Sequence, residues 1–237
     1  MRDFTNEMVT ALGNDKAALT RASTAERVAE LLRTRIMEGV FPPGSRLPEE
    51  TIGQMLGISR NTLREAFRLL CHECVAVHQL NRGIFVPILT TADVTDIFAL
   101  RRLVEGGAVR MAGSARTSTR LAVLAAAEDG DRAAAEERWL DCRTADLRFH
   151  LAISGLAESP RVDELMRRSL AELRIVFHTV RDSEGFHAPF VGRNHALAEL
   201  VVNGAGEAAH LELLSYLDDA ERQVLAAYAS ADELDGR

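Results

Sequence analysis

The stretch GISRNTLREAFRLL, residues 57–70, decides the fold. Gly57 marks a tight turn, and Ser59 carries the kind of side chain that caps a helix N-terminus. Stepping 100° per residue gathers Leu63, Ala66, Phe67 and Leu70 within about 60–70° of one another, a stripe to be buried. Asn61, Arg64 and Arg68 fan across the opposite side, with Arg60 beside them in the first turn. Such a face is either merely solvated or reads a ligand, and its surroundings must decide.

Upstream, STAERVAELLRTRIMEG reads as a helix. Ser23 and Glu26 have capping-box spacing, Val28, Leu31, Leu32 and Ile36 share a face, and Gly39 suits a left-handed C-terminal cap. FPPGSRLPEE is a rigid turn in which Gly44 allows the reversal. From Pro48 a short helix is expected to carry Ile52, Met55 and Leu56 inward and to stop at Gly57. Downstream, CVAVHQLNRGIFVP alternates about a turn at Asn81 to Gly83, which predicts a β-hairpin. Three helices and a two-stranded ribbon make a winged helix-turn-helix over residues 21–88, preceded by a loose tail over 1–20.

The remainder, residues 91–230, reads as helix with brief interruptions. The pattern places helices near 92–113, 117–128, 131–156, 160–183, 187–203 and 205–230, separated by GSART, EDGD, ESP, DSEGF and NGAGE. Short connections imply antiparallel neighbours, so an all-α antiparallel bundle is expected, and the chain as a whole is mainly α. The net charge of −7 divides unevenly. Residues 21–88 hold nine Arg against seven acidic residues, whereas residues 89–237 hold 17 Arg against 25. The overall acidity therefore does not exclude a nucleic-acid partner for the N-terminal unit. No apolar run nears the roughly 20 residues of a membrane span, and the N-terminus lacks a signal pattern. Three Cys make no disulfide framework. The expectation is a cytoplasmic protein with reduced thiols.

An exposed helix N-terminus with a wing behind it can enter a DNA groove. Arg donates twice to guanine, Asn pairs with adenine, and the Ser59 and Thr62 hydroxyls suit phosphate oxygens. Arg46 and the wing-tip Arg82 fall where further phosphate or minor-groove contacts belong. GVFPPGSRLPEETIGQMLGISRNTLREAFRLL followed by NRGIFV resembles the GntR family of bacterial transcription regulators. ALRRLVEGGAVRMA and DLRFHLAISG are similar to its FadR-like subfamily with an FCD ligand-binding domain. The resemblance covers residues 24–230 and implies DNA contacts at Ser59, Arg60, Asn61, Thr62, Arg64 and Gly83. A further Arg used by the fatty-acid-responsive member falls near Glu50, so that contact is expected to be missing.

Asp146 and His150, four apart, project from one helix face and can share a divalent metal of the Zn, Ni or Mn class or simply a hydrogen bond. The resemblance implies that His195 joins them, with one more His on the last helix. Tyr216 stands at that position, and His210, six residues earlier, is about 240° round the helix and roughly 9 Å along it. Either Asp146, His150 and His195 hold a metal whose shell water or an effector completes, or the site is a polar pocket with Tyr216 as donor. Arg101 matches a family Arg that would pair with an effector carboxylate, or else forms a surface ion pair. Arg174 is a second candidate of the same kind.

The reading is thus a homodimeric regulator that binds a palindromic operator in double-stranded DNA and answers to a small carboxylate-type metabolite, with no enzymatic activity and no membrane partner. Two rivals stand beside it. One is a metal-dependent hydrolase using Asp146, His150 and His195; the other is a DNA-binding protein without effector. CHEC, residues 71–74, has zinc-knuckle spacing but no second pair, so Cys71 and Cys74 are expected to be buried thiols. The paired Gly of VEGGAVR points to close helix approach.

Overall fold

The computed structural model describes residues 23–37, 39–176 and 183–235. The expected tail over 1–20 lies outside the described residues. The chain is mainly α with one small sheet. Helix α1 (Thr24–Met37) opens on the anticipated capping box: the Ser23 hydroxyl accepts from the Glu26 N–H at 3.2 Å, and the Glu26 carboxylate accepts from the Ser23 N–H at 2.6 Å. Strand β1 (Arg46–Leu47), α2 (Glu49–Leu56), α3 (Arg60–His72), β2 (Val77–Gln79) and β3 (Gly83–Phe85) complete the first unit. The ribbon is three-stranded, in the order β1-β3-β2 and antiparallel throughout, where two strands were expected. The added strand comes from the turn segment after Gly44: Gly44 at φ +81° turns the chain so that Arg46 pairs with Phe85 and Leu47 with Ile84.

The core of this unit gathers Val28, Leu32 and Ile36 of α1, Ile52 of α2, and Leu63, Phe67 and Leu70 of α3. Two inward assignments fail. Met55 is 81 % exposed, because the eight-residue α2 offers only one turn to the core, and Leu31 lies at the edge of its stripe.

Beyond Thr90, whose hydroxyl caps α4 (Thr91–Arg110), the chain is helical. A 3-10 turn (Met111–Gly113) leads to α5 (Thr117–Ala135), α6 (Trp139–Gly155), α7 (Pro160–Val176), α8 (Ser183–Val202) and α9 (Gly206–Asp235). These pack as a bundle with a second core, which includes Phe98, Val109, Phe149, Ile153, Met166, Leu197 and Leu217. EDGD does not interrupt it. Helix α5 runs straight through Gly130, where a Cβ would meet the Ala145 methyl at 3.8 Å, and ends seven residues later than expected. Of the paired glycines, Gly106 is the one that matters: His210 packs against its bare Cα and donates to its carbonyl at 2.9 Å, whereas Gly107 faces open space. Ile175 of α7 is buried in the N-terminal core, so α7 belongs to the bundle yet closes the winged unit from below.

Candidate functional site

The first candidate surface is the outer face of α3 with the wing. Gly57, at φ +62°, ends α2 by sending its N–H to Gln54 O and the next to Gly53 O. The chain turns into Ser59, whose Oγ accepts from the Thr62 N–H at 3.1 Å and shares a proton with Thr62 Oγ1 at 2.8 Å. That cap consumes the hydroxyls locally and fixes the first turn, leaving the Arg60 and Asn61 side chains exposed. Arg64 is exposed too and held by Glu49 of α2, Nε to Oε1 at 2.8 Å. Arg68 is paired with Glu65 at 2.6 Å, which raises its already high pKa through that hydrogen bond. The wing tip turns at Asn81 (φ +59°) and Gly83 (φ +107°). The Arg46 guanidinium lies over Gly83, where an added Cβ would meet it at 3.3 Å, and Arg82 stacks 5.3 Å from the Phe85 ring centre. Arg46, Ser59, Arg60, Asn61, Arg64, Arg68 and Arg82 are exposed, and Thr62 and Gly83 half-buried.

The second site is inside the bundle. Arg101 and Glu105 of α4 are four apart and buried, 2 % and 0 % exposed, with Arg101 Nε donating to Glu105 Oε1 at 2.7 Å. The other Glu105 oxygen accepts from His150 Nδ1 at 2.6 Å. His150 Nε2 is buried without a hydrogen bond and lies 3.8 Å from Asp146 Oδ1. That same oxygen accepts from the Tyr216 hydroxyl at 2.8 Å and the Asn194 amide at 2.9 Å. Burial pushes the Asp146 carboxyl up, but the His150 and His187 imidazoles and these two donors together outweigh it, so the group stays below the usual range. Burial likewise raises Glu105, and Arg101 and His150 bring it back below. Burial and the Asp146 charge push the Tyr216 phenol well above 10.

The expected trio does not assemble. Asp146 and His150 meet, but His195 is on the outside of α8, where its Nδ1 donates to Asp131 at 2.6 Å and its Nε2 lies 3.8 Å from Glu199. The α8 residue facing Asp146 is Asn194, one position earlier and so about 100° away round the helix. Among the described residues no three His, Cys, Asp or Glu side chains surround one point. The groups in the remaining positions, a phenol and an amide, aim hydrogens rather than lone pairs at the carboxylate. This donor set does not fit a metal ion, and the metal reading of Asp146, His150 and His195 is corrected accordingly. Two residues escaped the sequence reading. Glu105 stood unremarked in VEGGAVR, although its spacing from Arg101 is that of a helical ion pair. His187 lines the cavities on both sides of Asp146 and stood among scattered histidines.

Arg101 is no surface pair; it is the buried end of this chain of charges, with Nη2 unpartnered. Arg174 is elsewhere. It lines a groove between α1, α3, α6 and α7 and reaches Thr144 at 3.4 Å. Cys142 is buried and its thiol is pushed up to about 11 by burial, whereas Cys71 and Cys74 are only half-buried. Cys74 adopts φ +60° and ends α3, its N–H bonded to Cys71 O and the next to Leu70 O.

Residues 24–86 match the description "Bacterial regulatory proteins, gntR family", and residues 96–219 match the FCD domain. The Nta operon transcriptional regulator of Aminobacter aminovorans is 32 % identical over 139 residues, 56 % of this chain. The gluconate operon transcriptional repressor of Bacillus subtilis is 37 % identical over 87 residues, 37 % of this chain. The matched segments span 62 % and 35 % of those two relatives. A crystal structure from Rhodococcus sp. RHA1, described as a transcriptional regulator GntR, is 42 % identical and superimposes with a TM-score of 0.78, covering 87 % of this chain and all of that one. With an FCD domain matched over more than half its length and a GntR domain ahead of it, the chain belongs to the GntR family of bacterial regulatory proteins.

Proposed function

We propose that this protein is a DNA-binding transcription regulator, acting as a homodimeric repressor whose two α3 helices read the half-sites of a palindromic operator. The observation that carries the reading is the first turn of α3. Its backbone is locked by the Ser59 cap while Arg60, Asn61 and Arg64 project from one exposed face. Rigid backbone with exposed polar tips is what groove reading needs, since register is fixed before any base is touched. Arg46 and Arg82, at the wing, add charge for the flanking phosphates. Glu50, exposed on α2, would face the backbone where a basic residue helps, so the operator is read without that contact.

The helical domain senses a small carboxylate-type metabolite at the Arg101–Glu105–His150–Asp146–Tyr216 chain. Support comes from two buried, unpartnered nitrogens there, Arg101 Nη2 and His150 Nε2. Each orphan of this kind costs roughly 1–3 kcal/mol until a partner arrives, and an effector carboxylate supplies an acceptor for the Arg101 nitrogen. The cavity beside them holds only about 10 Å³, room for about one water. Entry therefore displaces Phe186 or Phe190, which line it from α8. Such repacking would shift the recognition helices relative to one another, and half-sites about 34 Å apart tolerate little displacement.

Unbiased selection of duplexes by the full-length protein at moderate ionic strength tests the first part. Enrichment of an inverted repeat is expected; equal recovery of all sequences would end the proposal.

A further inference from the structure

A groove of about 620 Å³ runs between the winged unit and the bundle. Its walls come from α1 and the end of α3 on one side and from α6 and α7 on the other, with Met37, Val75, Leu147 and Leu170 forming an apolar strip. Its charge is strongly one-sided. Arg33 is satisfied by Glu73 at 2.7 Å, and Arg167 and Arg168 share Glu164 at 2.5 and 2.9 Å. Among the described residues, three other guanidinium groups have no carboxylate partner. Arg148 lines the groove without an ion pair among the described residues. Among the described residues Arg174 hydrogen-bonds the Thr144 hydroxyl, and its Nε is buried and unpartnered. Arg143, only 7 % exposed, reaches the carbonyl of Met37 in the groove wall at a long 3.5 Å, and its Nε is likewise orphaned.

We infer that this groove is a binding site for an amphipathic small-molecule anion, a carboxylate or phosphate head on an apolar body, held by Arg148 and Arg174 with Arg143 behind them. Buried guanidinium groups are stable beside oxyanions, which accept two parallel N–H bonds each, and unstable beside one another. The arginines already feel that repulsion. Burial first and then Arg174 lower the Arg143 pKa, and burial first and then Arg148 and Arg33 lower that of Arg174. An anion relieves both penalties, and the strip of Met37, Val75, Leu147 and Leu170 sets its apolar portion against both units at once. Because Met37 and Val75 come from the winged unit and Leu147 and Leu170 from the bundle, the ligand ties the two together. The site is separate from the chain of charges around Asp146.

The test uses full-length protein at constant ionic strength, balanced with potassium chloride. Inorganic phosphate and phenyl phosphate form one arm, citrate and octanoate the other. Calorimetry is expected to find saturable binding in at least one arm, tighter for the member with the apolar body, and the arm that binds identifies the head group. Arg148→Gln, a surface change that leaves the fold intact, and Arg174→Gln should each weaken binding at least tenfold. Arg161→Gln, an exposed arginine at the start of α7 outside the groove, sets the effect of losing one charge. The inference is overturned if no probe binds saturably, or if all three variants weaken binding equally, which marks general screening only.

Discussion

At the residue scale, the distinction that matters is between arginines already committed and arginines available. Arg64 is held by Glu49, but both side chains are solvent-accessible, and an exposed pair of this kind contributes about 0–1 kcal/mol. Exchanging Glu49 for a guanine edge therefore costs little, and Arg64→Ala should weaken operator binding by about 1–3 kcal/mol while relaxing preference at one base pair. Competition binding against single-base operator variants measures this; the same loss on random duplex would mean that Arg64 touches phosphate alone. Tyr216 is the opposite case. Its hydroxyl is committed to Asp146 and walled in by His150 and Phe190, whose ring centres lie 5.1 and 4.8 Å away. Tyr216→Phe keeps the shape and removes one donor, leaving the carboxylate to Asn194. A loss of about 1–3 kcal/mol in urea unfolding is expected, the usual penalty for a buried acceptor stripped of a partner. Unchanged stability would mean that water already serves the carboxylate.

At the element scale, helix endings explain most of what the sequence disclosed and what it concealed. The ends at Gly39, Gly57 and Gly204 all use a left-handed glycine with paired return hydrogen bonds, and a glycine after an apolar stripe is a readable stop. The end of α5 uses the same geometry without the glycine. Glu137 takes φ +56°, its N–H bonding Ala134 O at 3.0 Å and the Arg138 N–H bonding Ala133 O at 2.8 Å. The glycine seven residues earlier, Gly130, lies inside the helix. The sequence thus signals a stop where none occurs and hides the real one. Exchanging the two roles should help the protein. Gly130→Ala recovers about 1 kcal/mol of helix propensity, since the added methyl makes only ordinary contact with Ala145. Glu137→Gly relieves a left-handed residue for a comparable gain. Thermal unfolding should show each variant more stable than the parent; a loss at Gly130→Ala would mean that α5 and α6 pack more tightly than 3.8 Å allows. The same logic separates the two candidate sites. The face of α3 was legible because one helix carries it. The interior chain joins α4, α6, α8 and α9, and one residue of helical phase on α8 decides whether His195 or Asn194 faces Asp146. No pattern within a single helix reveals that phase.

At the scale of the whole molecule, the two cores differ in kind. Among the described residues every fully buried charged or polar residue lies in the bundle, from Arg101 to His210, while the fully buried residues of the winged unit are apolar. Acid should therefore loosen the halves in order. His187 is held below the ordinary imidazole range by burial, aided by the Arg143 charge and opposed by Asp146. The unfolded chain takes up that proton near pH 6.5 and the folded one only lower, so bundle stability declines as the pH falls below about 6.5. Asp146 and Glu105 have folded values below their unfolded values of about 3.9 and 4.3, so what they contribute is full above that range and is lost as pH falls through the folded values. The winged unit has no such buried groups to protonate. Hydrogen exchange on the full-length protein at stepped pH is expected to show α4, α6 and α9 losing protection before α1 and α3, with a first decline below pH 6.5 that His187→Gln removes. Simultaneous loss across both units would show instead that Ile175, seated in the winged core from α7, binds the halves into one cooperative structure.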